Sequence, residues 1–237
     1  MSETQPTASV LDLMRAHVET AYVHDTDGRL VRVNDWVSGT VPRFWLGMTG
    51  LGCVWRFRAD VPAEVVVAME DLCRSETGPI GYPPVPLHAN HYENLLGGRS
   101  IVERVVAGPT YRLRDMVTEN HDAVPVTPAN QMLLAQELED WIPDVTHQQP
   151  VFASIEDGRA VSVCASVRIS ESVHMAGVET APGYRRRGHA MNAVAAWAAE
   201  VRSLGALAFY STSWDNAASQ AIAVKLGARF GFEYYVT

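Results

Sequence analysis

The feature that most constrains the fold is a pair of alternating segments that meet at a two-residue turn. Hydrophobic residues take every second position from Val151 to Ile155 and again from Val161 to Ile169. Between the two runs lies Asp157-Gly158, a dipeptide typical of β-hairpins because glycine tolerates positive φ. The residues that alternate with the second run are Ser162, Cys164, Ser166, Arg168 and Ser170. A two-residue period is typical of strands with one buried face, so the sequence predicts an antiparallel hairpin that packs by one face.

Strands and helices alternate from this hairpin to the end of the chain. The hydrophobic pattern predicts a strand, a helix, a strand, a helix and a closing strand. In order, these are Val173 to Thr180, Gly188 to Ser203, Leu207 to Ser211, Asn216 to Leu226 and Phe230 to Val236. Hairpins join antiparallel strands, whereas parallel neighbours need a longer crossover such as a helix. The predicted fold class is therefore α/β, in the α+β sense of one mixed sheet, with a central mixed β-sheet flanked by helices.

The N-terminal part of the chain has shorter and weaker patterns. Helical spacing from Val10 to Tyr22 predicts a first helix, and Pro62 opens a second. Three strand-like segments lie between the two helices: Leu30 to Val33, Arg43 to Gly47 and Cys53 to Arg58. A proline- and glycine-rich loop follows at Gly78 to Pro86, and a short helical segment at Asn90 to Leu96. These patterns predict an α/β extension before the stronger signals begin.

The middle of the chain is predicted to contain two strands and a helix. Ile101 to Val106 and Tyr111 to Val117 have the composition of strands. Thr127-Pro128 is typical of a helix start, and Pro143 lies where that helix would end. The residues expected on its inner face are Leu134, Leu138 and Trp141.

The composition excludes several classes of protein. Acidic residues outnumber lysine and arginine, and the net charge is −8. A nucleic-acid binder needs a basic surface to neutralise phosphates, so we expect no nucleic-acid partner. The first eight residues do not resemble a signal peptide, and no apolar run reaches the roughly 18 residues of a membrane helix. We therefore expect a cytoplasmic location and no membrane partner.

The cysteines and histidines do not form an obvious metal site. The three cysteines are Cys53, Cys73 and Cys164. They are far apart and form no CxxC pair, which argues against a disulfide framework and a structural zinc. His88, His91 and Glu93 have an HxxH spacing, but a lone HxxH in a region rich in proline and glycine is more typical of surface polar residues. We expect no metal.

The segment that carries chemistry runs from Val178 to Ala190 and joins a strand to a helix. It contains three consecutive arginines, and small residues at Gly188 and Ala190 let a ligand approach the backbone. The first turn of a helix has unpaired N–H groups and the positive end of the helix dipole, which together favour phosphate. The residue types therefore predict an anion site, and a pyrophosphate fits it.

This segment resembles the GNAT superfamily of N-acetyltransferases. The superfamily signature is Gln or Arg, two residues, Gly, one residue, and then Gly or Ala. Here the six positions read Arg185, Arg186, Arg187, Gly188, His189 and Ala190. The resemblance implies that this turn holds the pyrophosphate of acetyl-CoA, the co-substrate. It also implies that the strand around Val178 and Thr180 pairs with the pantetheine arm through its backbone.

A second similarity to the superfamily lies nearer the C-terminus. Trp214 to Ser219, with Lys225 to Gly227 further on, resembles the next helix on the cofactor side, and the resemblance implies that Asn216 and Ser219 contact coenzyme A. It covers roughly residues 110–237, which would form a GNAT-like acyl-CoA-binding catalytic domain. Residues 1–109 would form an N-terminal α/β extension that shapes the acceptor site.

Two residues before the signature are candidates for the catalytic base. An amine must lose a proton before it attacks a thioester, and relatives often place a carboxylate or a histidine on this strand. His174 and Glu179 are the candidates here, and an undistorted strand would put them on opposite faces. A β-bulge would change that. The choice between them stays open.

The residues and the resemblance together predict an N-acetyltransferase that moves an acetyl group from acetyl-CoA to a primary amine of a small molecule. The amine would attack directly in a ternary complex, while backbone amides polarise the thioester carbonyl. Two alternatives stay open: acylation of a protein or peptide, and a non-catalytic regulatory domain that binds acyl-CoA. Ala223 keeps the second open, because relatives often carry a proton-donating tyrosine there. The acceptor, the acyl chain and the oligomeric state, with a homodimer among the options, stay undetermined.

Overall fold

A computed structural model describes residues 8–37, 39–81, 83–98, 104–114 and 123–237. The helices are α1 (Val10–Ala21), α2 (Ala63–Arg74), α3 (Ala89–Gly97), α4 (His189–Ser203) and α5 (Ala217–Leu226). The first six strands are β1 (Tyr22–His24), β2 (Leu30–Val33), β3 (Phe44–Thr49), β4 (Gly52–Phe57), β5 (Val105–Leu113) and β6 (Ala123–Pro125). The other five are β7 (Val151–Glu156), β8 (Arg159–Ile169), β9 (Val173–Thr180), β10 (Leu207–Ser211) and β11 (Gly227–Val236).

Nine of these strands form one mixed sheet in the order β4-β3-β11-β5-β10-β9-β8-β7-β6, and β1 and β2 form a separate hairpin. Within the large sheet, β9 and β10 run parallel and are joined by α4, while the other neighbouring strands are antiparallel. A helical crossover is the expected link between parallel neighbours. The predicted mixed sheet flanked by helices is therefore confirmed.

The hairpin predicted at Asp157-Gly158 joins β7 to β8. Both residues have positive φ, 50° and 77°, which matches the twist of a two-residue hairpin. The expectation that β8 packs by one face is wrong. Ser162, Cys164 and Ser166 are as buried as their neighbours, because α4 covers one face of β8 and short 3-10 helices cover the other. A strand buried on both faces cannot be recognised from alternation alone.

Helices cover both faces of the sheet. One face carries α1, whose first turn is closed by a reciprocal capping box between Ser9 and Asp12, and whose Met14 and Val18 are fully buried. The opposite face carries α2 and α3 over β3 and β11, and α4 and α5 over the centre. Each helix buries one apolar stripe, which is the usual way such layers are stabilised.

The helix predicted from Thr127-Pro128 does not form. Thr127 donates its N–H to the Asn130 side chain at 2.7 Å, which makes a turn instead of a helix start. Two 3-10 helices follow, Gln131–Leu134 and Glu139–Asp144, and Pro143 lies inside the second one. Leu134 and Leu138 are nevertheless buried as predicted, because they face β7 and β8. The apolar spacing therefore predicted the buried residues correctly, but the segment forms two 3-10 helices and not one α-helix.

The two strands predicted around residue 108 are one strand. β5 runs from Val105 to Leu113 through Gly108-Pro109 and pairs with β11 along its whole length. Residues 101–103 and 115–117 of the predicted strands lie outside the described residues. The proposed division between residues 109 and 110 therefore falls within β5. Since β3 of the extension pairs with β11, both parts contribute to the same sheet.

No helix in the described part of the chain is long and apolar enough to cross a membrane.

Candidate functional site

The sheet opens between β9 and β10. The two strands pair from Val173↔Leu207 to Met175↔Phe209, and their ladder ends there. Beyond Met175, residues 176–180 pair with β8, while β10 continues along β5 to Ser211. Within the described residues, one backbone edge of β9 is therefore left without a strand partner. Such an edge offers N–H and C=O groups to an extended ligand.

The open edge is followed by a turn, residues 181–188, which contains a 3-10 helix (Pro182–Tyr184) and ends at the first turn of α4. Gly188 caps α4 with φ of 94°, a backbone conformation that favours glycine. The first backbone bond of the helix runs from the Asn192 N–H to the Gly188 carbonyl at 3.2 Å. An α-helix leaves the N–H groups before that bond without helical partners. His189 and Ala190 thus lie where the sequence predicted an anion site.

The three arginines of the turn have different partners. Arg185 donates from Nε to the Thr180 carbonyl at 3.1 Å, which ties the turn to the end of β9. Arg186 is exposed and has a positive φ of 63°. Arg187 donates to Glu156 at 2.6 Å and lies 5.4 Å from the Tyr184 ring centroid. Two of the three guanidinium groups therefore also stabilise the turn.

Glu156 is a residue of this site that the sequence reasoning missed. It ends β7 and holds both Arg187 and, at 2.9 Å, the Nε2 atom of His189. The hydrogen bond from Arg187, followed by the charge of that group and by His189, holds the pKa of Glu156 below its ordinary value. The Nδ1 atom of His189 lies 2.9 Å from the Ser154 hydroxyl. The only sequence signal for Glu156 was its place beside the Asp157-Gly158 turn.

Val178 and Thr180 lie on the open part of β9. The side chain of Val178 packs against the cluster of apolar residues under α4. The Thr180 hydroxyl lies 2.8 Å from that of Ser162, which also donates to the Glu179 carbonyl at 2.8 Å. Both side chains are used for packing within the protein, so a contact with a ligand would come from the backbone.

Asn216 and Ser219 are at the start of α5. Asn216 caps the helix, and its Oδ1 atom accepts from the Ser219 N–H at 3.0 Å. The cap uses only the side-chain oxygen of Asn216, so its NH₂ group takes no part in the cap hydrogen bond. The residue therefore has a structural role that the resemblance did not anticipate, beside the predicted contact with coenzyme A.

The two candidate bases are in different surroundings. His174 is only 8% exposed, and its Nδ1 atom lies 2.9 Å from the Ser166 hydroxyl, which also accepts from Trp197 of α4. Burial lowers the pKa of His174. It pairs with Ala208, so it belongs to the closed part of the β9–β10 ladder.

Glu179 lies on the open part of β9, on the face opposite to His174. Its side chain is exposed and accepts a 2.6 Å hydrogen bond from the Trp141 indole. The bulge considered for this region is on β8, between Ser166 and Arg168, so it does not bring the two candidates to one face. The structure therefore does not bring His174 and Glu179 together.

Tyr210 is a second residue that the sequence reasoning missed. It follows Phe209, the last residue of β10 that pairs with β9, and its hydroxyl lies 2.8 Å from that of Ser219. Burial raises the pKa of Tyr210 to about 12, so the phenol keeps its proton at neutral pH. Ala223, at the position where a tyrosine was sought, is fully buried in the same apolar cluster.

The HxxH segment has other partners. His88 lies 2.9 Å from the Ser75 hydroxyl, and Glu93 accepts from the Tyr234 hydroxyl at 2.8 Å. The described residues contain no group of three or more histidines, cysteines or carboxylates placed to hold a metal ion.

Comparison with known families identifies the chain. The family model of the GNAT acetyltransferases matches residues 107–237, more than half of the sequence. The chain belongs to this family. It is accordingly an acyltransferase, and acetyl transfer from acetyl-CoA is consistent with its site. No curated protein matches the chain.

Several solved structures of the GNAT family are similar to this chain. A GNAT-family acetyltransferase of Novosphingobium aromaticivorans is 18% identical, with a TM-score of 0.48, over 57% of this chain and 66% of the other, just under two thirds of that length. An acetyltransferase of Colwellia psychrerythraea is 13% identical with a TM-score of 0.45, covering 81% of each chain. A GCN5-related N-acetyltransferase-like protein of Streptococcus suis is 12% identical with a TM-score of 0.48, over 83% and 85%.

Proposed function

We propose that the protein transfers an acetyl group from acetyl-CoA to a primary amine of a small molecule. The observation that carries this proposal is the unpaired edge of β9, which is followed, after the turn of residues 181–188, by the first turn of α4. A strand edge suits the amide groups of a pantetheine arm, and a helix start suits a pyrophosphate. The two features are in the order that one coenzyme A molecule requires.

The turn between β9 and α4 would bind the phosphates. Backbone N–H groups of His189 and Ala190 would donate to them, with Arg186 as an additional cation. Arg187 and His189 are held by Glu156, and this carboxylate competes with phosphate for both. We therefore expect the backbone and Arg186 to contribute more to binding than Arg187 does. Asn216 would donate from its side-chain NH₂ at the far side of the opening.

Glu179 is the better placed of the two candidate bases. It is exposed on the open part of β9, and Trp141 fixes its carboxylate, whereas His174 is buried in the closed part. A base must reach the proton that it removes, so geometry favours the exposed carboxylate. Glu179 would accept the proton of the attacking amine.

Tyr210 would donate a proton to the departing thiolate. Its hydroxyl lies where β10 leaves β9, and Ser219 orients it. The phenol is protonated at neutral pH, because burial raises its pKa, so its O–H is available to the thiolate as the C–S bond breaks. Backbone N–H groups on the open edge of β9 would polarise the thioester carbonyl.

A small acceptor is favoured by the surroundings of Glu179. Its face of the sheet is covered on one side by α1 and on the other by the 3-10 helices around Trp141. These elements form walls that would enclose a small amine more readily than a folded protein. Thiol release measured with a panel of small amines and of peptides separates the two acceptors, and release with neither would favour a binding domain.

The first test is calorimetric titration with acetyl-CoA of the wild type and of Gly188→Asp. The aspartate adds a negative charge at the helix start and a side chain at a φ of 94°, so we expect binding to be lost. Gly205→Asp is the matched control, because Gly205 follows the other end of α4 and also has a positive φ of 82°. Loss of binding in Gly188→Asp alone supports the site. If both variants bind acetyl-CoA equally well, the start of α4 is not part of the cofactor site.

A further inference from the structure

The sheet opens a second time, at the other end of β10. The ladder between β10 and β5 ends at Phe209↔Arg112, so Leu207 and Ala208 have no partners on β5 within the described residues. The end of β5 instead follows β11 and α5, where the Arg114 N–H donates to the Leu226 carbonyl at 3.0 Å. A cavity of about 420 Å³ fills the gap between the diverging strands. That volume lies within the usual range for sites that bind small molecules.

Four arginines line this cavity, and its described lining contains no carboxylate. They are Arg112, Arg114, Arg202 and Arg229. Arg112, Arg114 and Arg229 form no ion pair with any described residue. Clustered like charges raise the free energy of a folded chain unless counter-charges approach them. The cluster is more unusual because the chain as a whole carries a net charge of −8.

The rest of the lining is apolar. It consists of Val10, Leu13, Leu113, Leu207, Ala208, Ala228 and Phe230. Of these, Leu13 and Phe230 belong to the core cluster under α1, so the wall that they form is rigid. A ligand that fits both halves of the lining has anionic groups for the guanidiniums and a short hydrocarbon body for the wall.

The cavity is separate from the proposed cofactor site. Arg202 is in the last turn of α4, whereas the cofactor turn precedes its first residue. At 1.5 Å per residue, the two ends of this 15-residue helix are about 20 Å apart. The cavity is therefore on the opposite side of the molecule from the opening between β9 and β10.

We propose that this cavity is a second binding site, for a small organic anion with at least two negatively charged oxygens and a short apolar body. Guanidinium groups bind carboxylate and phosphate oxygens in pairs, so both a dicarboxylate and a phosphate monoester satisfy the requirement. Apolar contacts with Phe230 and Leu13 distinguish such ligands from inorganic phosphate.

Calorimetric titration with phenyl phosphate, adipate and inorganic phosphate tests the site. We expect phenyl phosphate, adipate or both to bind more tightly than inorganic phosphate, and the one that does identifies the anionic group. Arg112→Gln and Arg229→Gln should each weaken that binding by about tenfold, since each removes a charged hydrogen-bond donor. The control variant Arg74→Gln removes an arginine on α2 that pairs with Glu70 and Asp71, and should leave binding unchanged.

Gly188→Asp keeps the cavity intact and should also bind the probes as the wild type does. Absence of binding by the wild type, or equal affinities in the arginine variants, would overturn the proposal. So would inorganic phosphate binding as tightly as the organic probes. If an arginine variant fails to fold, probe-induced shifts of the Ala208 and Phe230 amide signals in wild-type NMR spectra decide the question, and unchanged signals count against the site.

Discussion

Glu179 and His174 are five residues apart on one strand, yet the Glu179 side chain is exposed to water and the His174 side chain is buried. His174 is enclosed by β8 and α4 through Ser166 and Trp197. Glu179 is exposed and receives the Trp141 indole. The buried imidazole contributes a hydrogen bond with Ser166 to the fold, whereas an exposed carboxylate held by one donor is able to exchange protons with a substrate. The two residues should therefore respond differently to mutation.

We expect Glu179→Gln to lower kcat/KM by about a hundredfold with little change in stability, because the amide cannot accept the amine proton. His174→Asn should instead destabilise the fold by about 1–2 kcal/mol, since it disturbs a buried hydrogen bond. Thiol-release kinetics and thermal unfolding of both variants measure the difference. Full activity of Glu179→Gln, with loss of activity in a folded His174→Asn, would reverse the assignment.

A comparison of Tyr210 with Tyr111 separates proton donation from a role in packing. Both are buried in the cluster under α4, and burial raises the pKa of both phenols. Only Tyr210 lies at the opening of β9 and β10. We expect Tyr210→Phe to lower kcat by about a hundredfold while KM for acetyl-CoA stays within about twofold, because only the departing thiolate needs the proton. Tyr111→Phe is the control, and an equal loss in both variants would indicate altered packing.

At the scale of the elements, most local signals were read correctly, whereas the helix start at Thr127-Pro128 and the long-range strand pairing were not. The Asp157-Gly158 turn, α4 and α5 carry their own start and stop residues, so the sequence alone predicts them. The turn before the 3-10 helices forms because the Asn130 side chain accepts from the Thr127 N–H, and apolar spacing carries no information about that bond. β5 is continuous because β11 pairs across Gly108-Pro109, and that partner is more than a hundred residues away.

The start of α5 gives a prediction in which structure and binding are separable. Asn216→Asp keeps an oxygen that accepts from the Ser219 N–H, so the cap is preserved. It removes the NH₂ donor and adds a negative charge beside the proposed coenzyme A. We expect Asn216→Asp to retain stability and to bind acetyl-CoA at least tenfold more weakly, as about 1.4 kcal/mol or more is lost.

Asn216→Ala is the matched variant, because it loses both functions. It should cost about 1 kcal/mol of stability in addition to weaker binding. Chemical denaturation and calorimetry of the two variants provide the measurements. If Asn216→Asp binds acetyl-CoA as the wild type does, Asn216 is a helix cap and not a cofactor ligand.

In the whole molecule, a largely buried carboxylate links the N-terminal extension to the family domain, in addition to the ladder between β3 and β11. Glu233 of β11 accepts from the Trp45 indole of β3 at 3.0 Å and lies 3.1 Å from Nε2 of His17 in α1. The sequence reasoning found α1, β3 and β11 but not this link, because the three are distant in the chain and no local pattern joins them. The acetyltransferase-like half was predictable from its motifs, and the order of strands across the sheet was not.

The pKa of Glu233 makes this link measurable. Burial, the largest influence, raises the pKa, but the charge of His17 and hydrogen bonds from His17, Trp45 and Ser211 together outweigh it, so the pKa is lower than the ordinary 4.5. A carboxyl whose pKa is lowered by folding adds stability above its unfolded pKa, and that stability is lost as the pH falls through the folded value. The contribution is therefore complete at neutral pH and declines as the pH falls below about 4.5 toward the folded pKa.

We expect Glu233→Gln to lose about 2 kcal/mol of stability at pH 7, because hydrogen bonds to a charged group are replaced by weaker ones. Denaturant unfolding from pH 7 to pH 3.5 should show the gap between wild type and variant closing below the ordinary carboxyl pKa. Glu200→Gln, an exposed position on α4, is the control and should match the wild type throughout. A gap that stays constant over this pH range would mean that the charge of Glu233 contributes nothing to stability, and the extension would then be held to β11 by the β3–β11 ladder and by apolar packing.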